Sequence, residues 1–125
     1  MEIKNRFTFL GLCLILMTTL NTGCYYNKTP LPPAPEGDIS YSADIQPIWN
    51  DNCVACHQTG TGVPLDLQAD NSYNNLINEG YINTDDPSAS ILYIKITPGQ
   101  SMDQYATDNQ RLVILTWIEQ GALNN

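Results

Sequence analysis

Five consecutive residues, Cys53-Val54-Ala55-Cys56-His57, bring two thiols together with the only histidine of the chain. Few folds tolerate such a cluster, because it must face something other than neighbouring apolar side chains. The sequence around it makes the demand sharper. Residues 38–125 are the part patterned for folding, and 88 residues bury little core unaided, so domains of this size often lean on a staple or a prosthetic group. A disulfide framework is not on offer. Of the four cysteines, Cys13 and Cys24 belong to the N-terminal region, and Cys53 and Cys56 stand too close to staple distant parts of a fold.

The spacing Cys-x-x-Cys-His is the attachment sequence of c-type haem. Thiols three positions apart reach the two vinyl groups of one porphyrin as thioethers, and the next residue turns its imidazole to the iron. Cys53, Cys56 and His57 are therefore read as holding one covalent haem c, with His57 as the proximal ligand. Two other uses of the same residues compete. A thioredoxin-like redox pair opens a helix after a strand, and no βαβ pattern surrounds residues 53–57. A structural zinc site takes four ligands, and a carboxylate would have to complete a shell begun by Cys53, Cys56 and His57.

A census of iron ligands narrows the other face of the haem. With one histidine in the chain, ligation by two histidines of the same chain is excluded. Met1 and Met17 lie in the N-terminal region, leaving Met102, 45 residues after His57 in the loop TPGQSMDQY. Met102 is expected as the distal ligand. Histidine plus methionine raises the reduction potential, and filling both axial sites favours electron transfer over substrate binding. Its plain alternative is a flexible gap-filler in the core.

The N-terminus reads as a targeting segment. Lys4 and Arg6 precede an apolar run over 7–20, shorter than the roughly 20 residues that span a bilayer comfortably. An uncleaved anchor is the alternative. The run ends in Leu20-Asn21-Thr22-Gly23-Cys24, which resembles the lipobox of bacterial lipoproteins, although Asn21 stands where an aliphatic residue is usual. That resemblance implies a signal peptide over 1–23, lipidation of Cys24 and an exported protein tethered in the cell envelope; several acyl chains anchor stably where one does not. Ordinary secretion with Cys24 free is the competing reading. Residues 24–37 hold four prolines among polar residues and read as an extended stalk.

Without 1–23 the chain carries three basic residues (Lys28, Lys95, Arg111) against twelve acidic ones, a net charge of −9. Such a surface disfavours nucleic acid and anionic lipid as direct partners. It suits docking on basic patches of partner proteins, weakened by salt, or serves solubility alone.

The domain pattern predicts helices. Ser42 caps a helix through Asn52 with Ile45, Ile48 and Trp49 on one face, and Pro47 makes its first turn irregular. A second helix runs over 72–79 to Gly80. Asp86-Pro87 opens a third that leads into Ile91, Leu92 and Ile94, with strand as the rival for ILYIKI. Thr107 and Gln110 form a capping box for the last helix, with Leu112, Leu115 and Ile118 on its face, Ile114 beside them and Gly121 as its stop. Trp49 and Trp117 read as core, and Asp85-Asp86 as a helix start rather than a metal site. Tyr93 and Tyr105 have hydroxyls suited to a haem propionate, but nothing in the sequence selects them.

These features together resemble a small class I cytochrome c over 41–125: the first helix, the CVACH motif, the Gly62-Val63-Pro64-Leu65 loop, Met102 and the terminal LVILTWIEQGALNN. The resemblance implies an all-α domain wrapped around one haem, with its first and last helices crossing. It further implies a proline carbonyl, by position that of Pro64, accepting from the His57 ring and raising its basicity. Many relatives follow the ligand methionine with proline, whereas Asp103 follows Met102 here, and a carboxylate beside the haem tends to lower the potential. The implied function is single-electron transfer between redox partner proteins of the cell envelope. A haem enzyme or gas sensor with an open distal site is the alternative, and a cofactor-free adhesion or assembly lipoprotein is the plainest reading.

Overall fold

The computed structural model describes Pro33 and residues 35–125. The signal peptide expected over 1–23, Cys24 with its lipidation, and most of the proline-rich stretch fall outside the described residues. Among those residues no helix is long and apolar enough to cross a membrane.

All regular structure among the described residues is helical, as expected for an all-α chain. A π-helical segment (Tyr41–Ile45) runs into α1 (Gln46–Asn52). Then follow α2 (Ser72–Asn78), α3 (Ile91–Ile96) and α4 (Asp108–Glu119), with short 3-10 turns at Pro87–Ala89 and Asp103–Tyr105. The β-branched ILYIKI stretch is therefore a helix, with Leu92 and Ile96 buried four positions apart.

The start of the first helical segment differs from the sequence reading in an instructive way. Its cap is Ser40, not Ser42: Ser40 is extended (φ −87°, ψ 130°), and its hydroxyl accepts from the Ala43 amide at 3.2 Å. Asp44 reaches back to the Ser40 amide at 2.8 Å, closing a reciprocal cap one residue wider than the usual box. The wide turn accounts for the π-helical start. Pro47 then sits within the first two positions of α1, where a missing amide hydrogen does no harm. The Ser42 hydroxyl instead donates to the Asn125 carbonyl at 2.9 Å. Asp86-Pro87 likewise opens only a 3-10 turn, and extended Ser90 separates it from α3.

The last helix has both ends fixed locally. Thr107 and Gln110 satisfy each other's backbone amides in a capping box. At the other end the Gly121 amide bonds the Ile118 carbonyl and the Ala122 amide bonds the Trp117 carbonyl, at 3.0 and 2.9 Å, with Gly121 at φ +94°. This pair of bonds is a Schellman stop, and its left-handed residue is one that glycine adopts without a Cβ clash.

The fully buried stripe of α4 is Ile114, Trp117 and Ile118 rather than Leu112, Leu115 and Ile118, because the indole takes the centre of the face. It meets the Tyr41–Ile45 segment, where the Tyr41 ring lies 5.3 Å from that of Trp117 and edge-on to Tyr73 at 5.1 Å. Ile45, Trp49 and Leu76 complete a core at 0–1% exposure. A buried polar chain crosses it: the Tyr41 hydroxyl donates to Ser72 (2.7 Å), Ser72 to the Gln46 amide oxygen, and the Gln46 amide nitrogen to the Leu67 carbonyl (3.1 Å). That chain ties α1, α2 and the segment between them into one frame.

Candidate functional site

Cys53 is the residue on which α1 ends. Its amide and that of Val54 both bond the Trp49 carbonyl at 2.9 Å, and the Cys56 and His57 amides then turn back onto the Cys53 carbonyl at 3.1 and 2.9 Å. The chain coils tightly here, so residues 53, 56 and 57 come round to the same side. All three line one cavity of about 420 Å³, within the size range of sites that enclose small molecules and cofactors.

The segment after His57 is stitched shut. The Leu67 amide returns to the His57 carbonyl at 2.9 Å. Asp66 accepts from the Thr59 hydroxyl (2.7 Å), the Asn71 side chain (2.9 Å) and the Gln68 amide (2.9 Å). Those donors, the Thr59 hydroxyl foremost, hold its carboxyl below the ordinary aspartate range. Inside this loop the His57 Nδ1 stands 3.2 Å from the Leu65 carbonyl. The ring's partner is thus Leu65 and not Pro64. Leu65 is buried at 7% exposure and its carbonyl is held inward, while Pro64 is an exposed part of the cavity lining. With Nδ1 engaged on backbone, Nε2 is the ring nitrogen left to bind a metal or a guest.

Met102, so far away in sequence, lines the same cavity as Cys53, Cys56 and His57. Its amide bonds the Lys95 carbonyl at 2.9 Å, which pins the loop to α3. The remaining wall is nearly all apolar, with Trp49, Leu65, Leu67, Leu92 and Ile96 at its base and Val63, Ile91 and Tyr105 toward solvent. Lys95 is the basic residue among the lining side chains. Of the tyrosines, Tyr81 and Tyr105 reach the cavity and Tyr93 does not line it.

Two electrostatic facts bear on what the cavity can do. Burial pushes the Cys53 thiol up to about 11, so it stays protonated at neutral pH. A thiol–disulfide catalyst needs the opposite, a thiol lowered toward the thiolate. Separately, the buried Trp49 Nε1–H has no hydrogen-bond partner. The Tyr41 hydroxyl is close enough to sense the indole, yet its proton goes to Ser72 and no bond of proper geometry joins the two. A buried donor without a partner costs about 1–3 kcal/mol.

The donor set fits a haem held covalently: two thiols three positions apart, an imidazole with one nitrogen already oriented, a thioether, and an apolar enclosure. Among the described residues no group of three or more His, Cys, Asp and Glu stands together as a metal cluster. The Asp85 and Asp86 amides both bond Asn83 Oδ1, at 3.0 and 3.1 Å, in a turn. Asp66, the Leu65 carbonyl and Arg111 are site-building groups to which the motif spacing does not point. A lone arginine directly before the apolar run 112–115 of the last helix is a signal for the third.

No protein-family model matches the chain, and comparison with curated proteins and with solved structures gives no significant match.

Proposed function

We propose that the chain is a monohaem c-type cytochrome, similar to the small class I cytochromes c, that carries single electrons in the cell envelope from a lipid tether at Cys24. One observation carries the reading: Cys53, Cys56, His57 and, 45 residues later, Met102 line a single apolar cavity. In this reading Cys53 and Cys56 hold the porphyrin as thioethers, and His57 and Met102 hold the iron. The haem supplies the one-electron chemistry when bound. The chain's residues do the rest. The Leu65 carbonyl orients the His57 ring, the apolar walls exclude water, and Lys95 offers a positive charge to a propionate.

The half-buried Met102 favours a closed distal side over the open one that a peroxidase or gas sensor needs. The acidic surface suits partners with basic docking patches. A visible spectrum of the exported, purified protein, recorded during a redox titration, tests the reading. The expected result is a low-spin ferric haem with a sulfur-to-iron charge-transfer band, reversible one-electron reduction, and loss of the band in Met102→Ala. A high-spin spectrum unchanged by Met102→Ala would remove the methionine from the scheme and favour the enzyme or sensor.

A further inference from the structure

Resting on the reading of Met102 as distal ligand, we infer that Arg111 is the positioning residue that holds the Met102 sulfur in place, acting through Asp103. Arg111 is the only arginine beyond the N-terminal segment, and its side chain is 11% exposed. From α4 its guanidinium reaches three parts of the chain at once. Nε donates to the Ile96 carbonyl, which is the last of α3. One terminal nitrogen donates to both the carbonyl (2.7 Å) and the carboxylate of Asp103. The other donates to Asp108 at 2.6 Å.

Asp103 directly follows Met102, and its second carboxylate oxygen accepts from the Gly99 amide at 2.8 Å, across a turn that Gly99 makes at φ +84°. The loop 97–102 is therefore closed at its base by one carboxylate, one guanidinium and the Met102 amide on Lys95. A proline after the methionine would stiffen such a loop by fixing φ. Here a charged clamp does that work, because a planar fork of donors can bind several oxygens in fixed geometry where an ammonium cannot. The same pairing compensates the charge of the carboxylate that follows Met102.

The test is competition for the iron. Ferric wild type, Arg111→Gln, Arg111→Lys and Asp103→Asn are titrated with imidazole while the sulfur charge-transfer band is followed. Tyr73→Phe, which loses a 3.0 Å bond to the Ala122 carbonyl, serves as the structural control. Freeing Met102 lets imidazole displace it more easily. Arg111→Gln should bind imidazole at least about tenfold more tightly than wild type, equivalent to about 1.4 kcal/mol. Arg111→Lys should not restore the wild-type value, Asp103→Asn should shift the same way by less, and Tyr73→Phe should stay within about twofold of wild type.

If Arg111→Gln does not fold, Asp103→Asn decides, since it keeps the backbone contact. Wild-type imidazole affinity in the folded Arg111 and Asp103 variants overturns the clamp, as does an equal shift in Tyr73→Phe or a failure of every clamp variant to fold. A wild-type protein with covalent haem but no sulfur band instead overturns Met102 ligation itself, and the clamp with it.

Discussion

The two sides of the first helical stretch, the π-helical segment and α1 together, make opposite use of similar side chains. On one, Tyr41 and Ile45 meet Ile114, Trp117 and Ile118 of α4, aromatic rings lie in contact, and exposure is 4% or less. On the other, Trp49, Leu65, Leu67, Leu92 and Ile96 face a space that no side chain of the domain fills, and its rim leaves Ile91 48% and Tyr105 45% exposed. Buried apolar surface stabilises only where it meets matter, and a void forfeits those contacts. The closed side can hold itself together. The open side is an apolar lining that carries Cys53, Cys56, His57 and Met102, the side on which the proposed haem would pack.

The comparison breaks most readily at the cysteines. Cys53→Ala/Cys56→Ala should abolish covalent haem on a haem-stained denaturing gel and lower the thermal midpoint, because without the tethered porphyrin the apolar lining of the cavity loses the packing contacts that the guest would supply. A double variant that melts with the wild type would mean that the open side needs no guest. On the closed side, Trp117→Ala should cost about 3–5 kcal/mol in denaturant unfolding while leaving the thioethers intact in whatever protein folds.

Smaller effects sharpen the contrast. Thr107→Ala removes half of the capping box and should cost about 1 kcal/mol, read in the same denaturant titration without change in the haem spectrum. The smallest effect is expected at Asp66. Its carboxyl is lower in the folded than in the unfolded chain, so its contribution is present above the unfolded value and is lost as pH falls through the folded one. Asp66→Asn should flatten the acid limb of a stability–pH curve and leave the alkaline limb alone. An unchanged acid limb would detach the loop after His57 from that carboxylate.

What the sequence could tell followed the range of the interactions. The capping box and glycine stop of α4 are signals among residues a few positions apart, and both were readable in advance. Two serines flank Tyr41 and both hydroxyls donate to the Asn125 carbonyl at 2.9 Å; only that of Ser40 also accepts from a helix amide, a distinction that local sequence does not carry. Which carbonyl turns toward His57 depended on how its loop closes on Asp66 and Leu67, so the choice fell one residue short of Leu65. The cysteines, His57 and Met102 were legible by their chemistry, since each is alone or nearly alone of its type. Arg111 was hidden because periodicity counts apolar positions and does not ask what a charge among them is holding.

The central claim is that one haem is bound through the sulfurs of Cys53 and Cys56. Intact mass spectrometry under denaturing conditions, on protein exported through a c-type maturation system, tests it most directly. The account predicts the polypeptide plus one haem, with the addition lost in Cys53→Ala/Cys56→Ala. A mass showing two unmodified thiols at those positions in fully matured protein would contradict it.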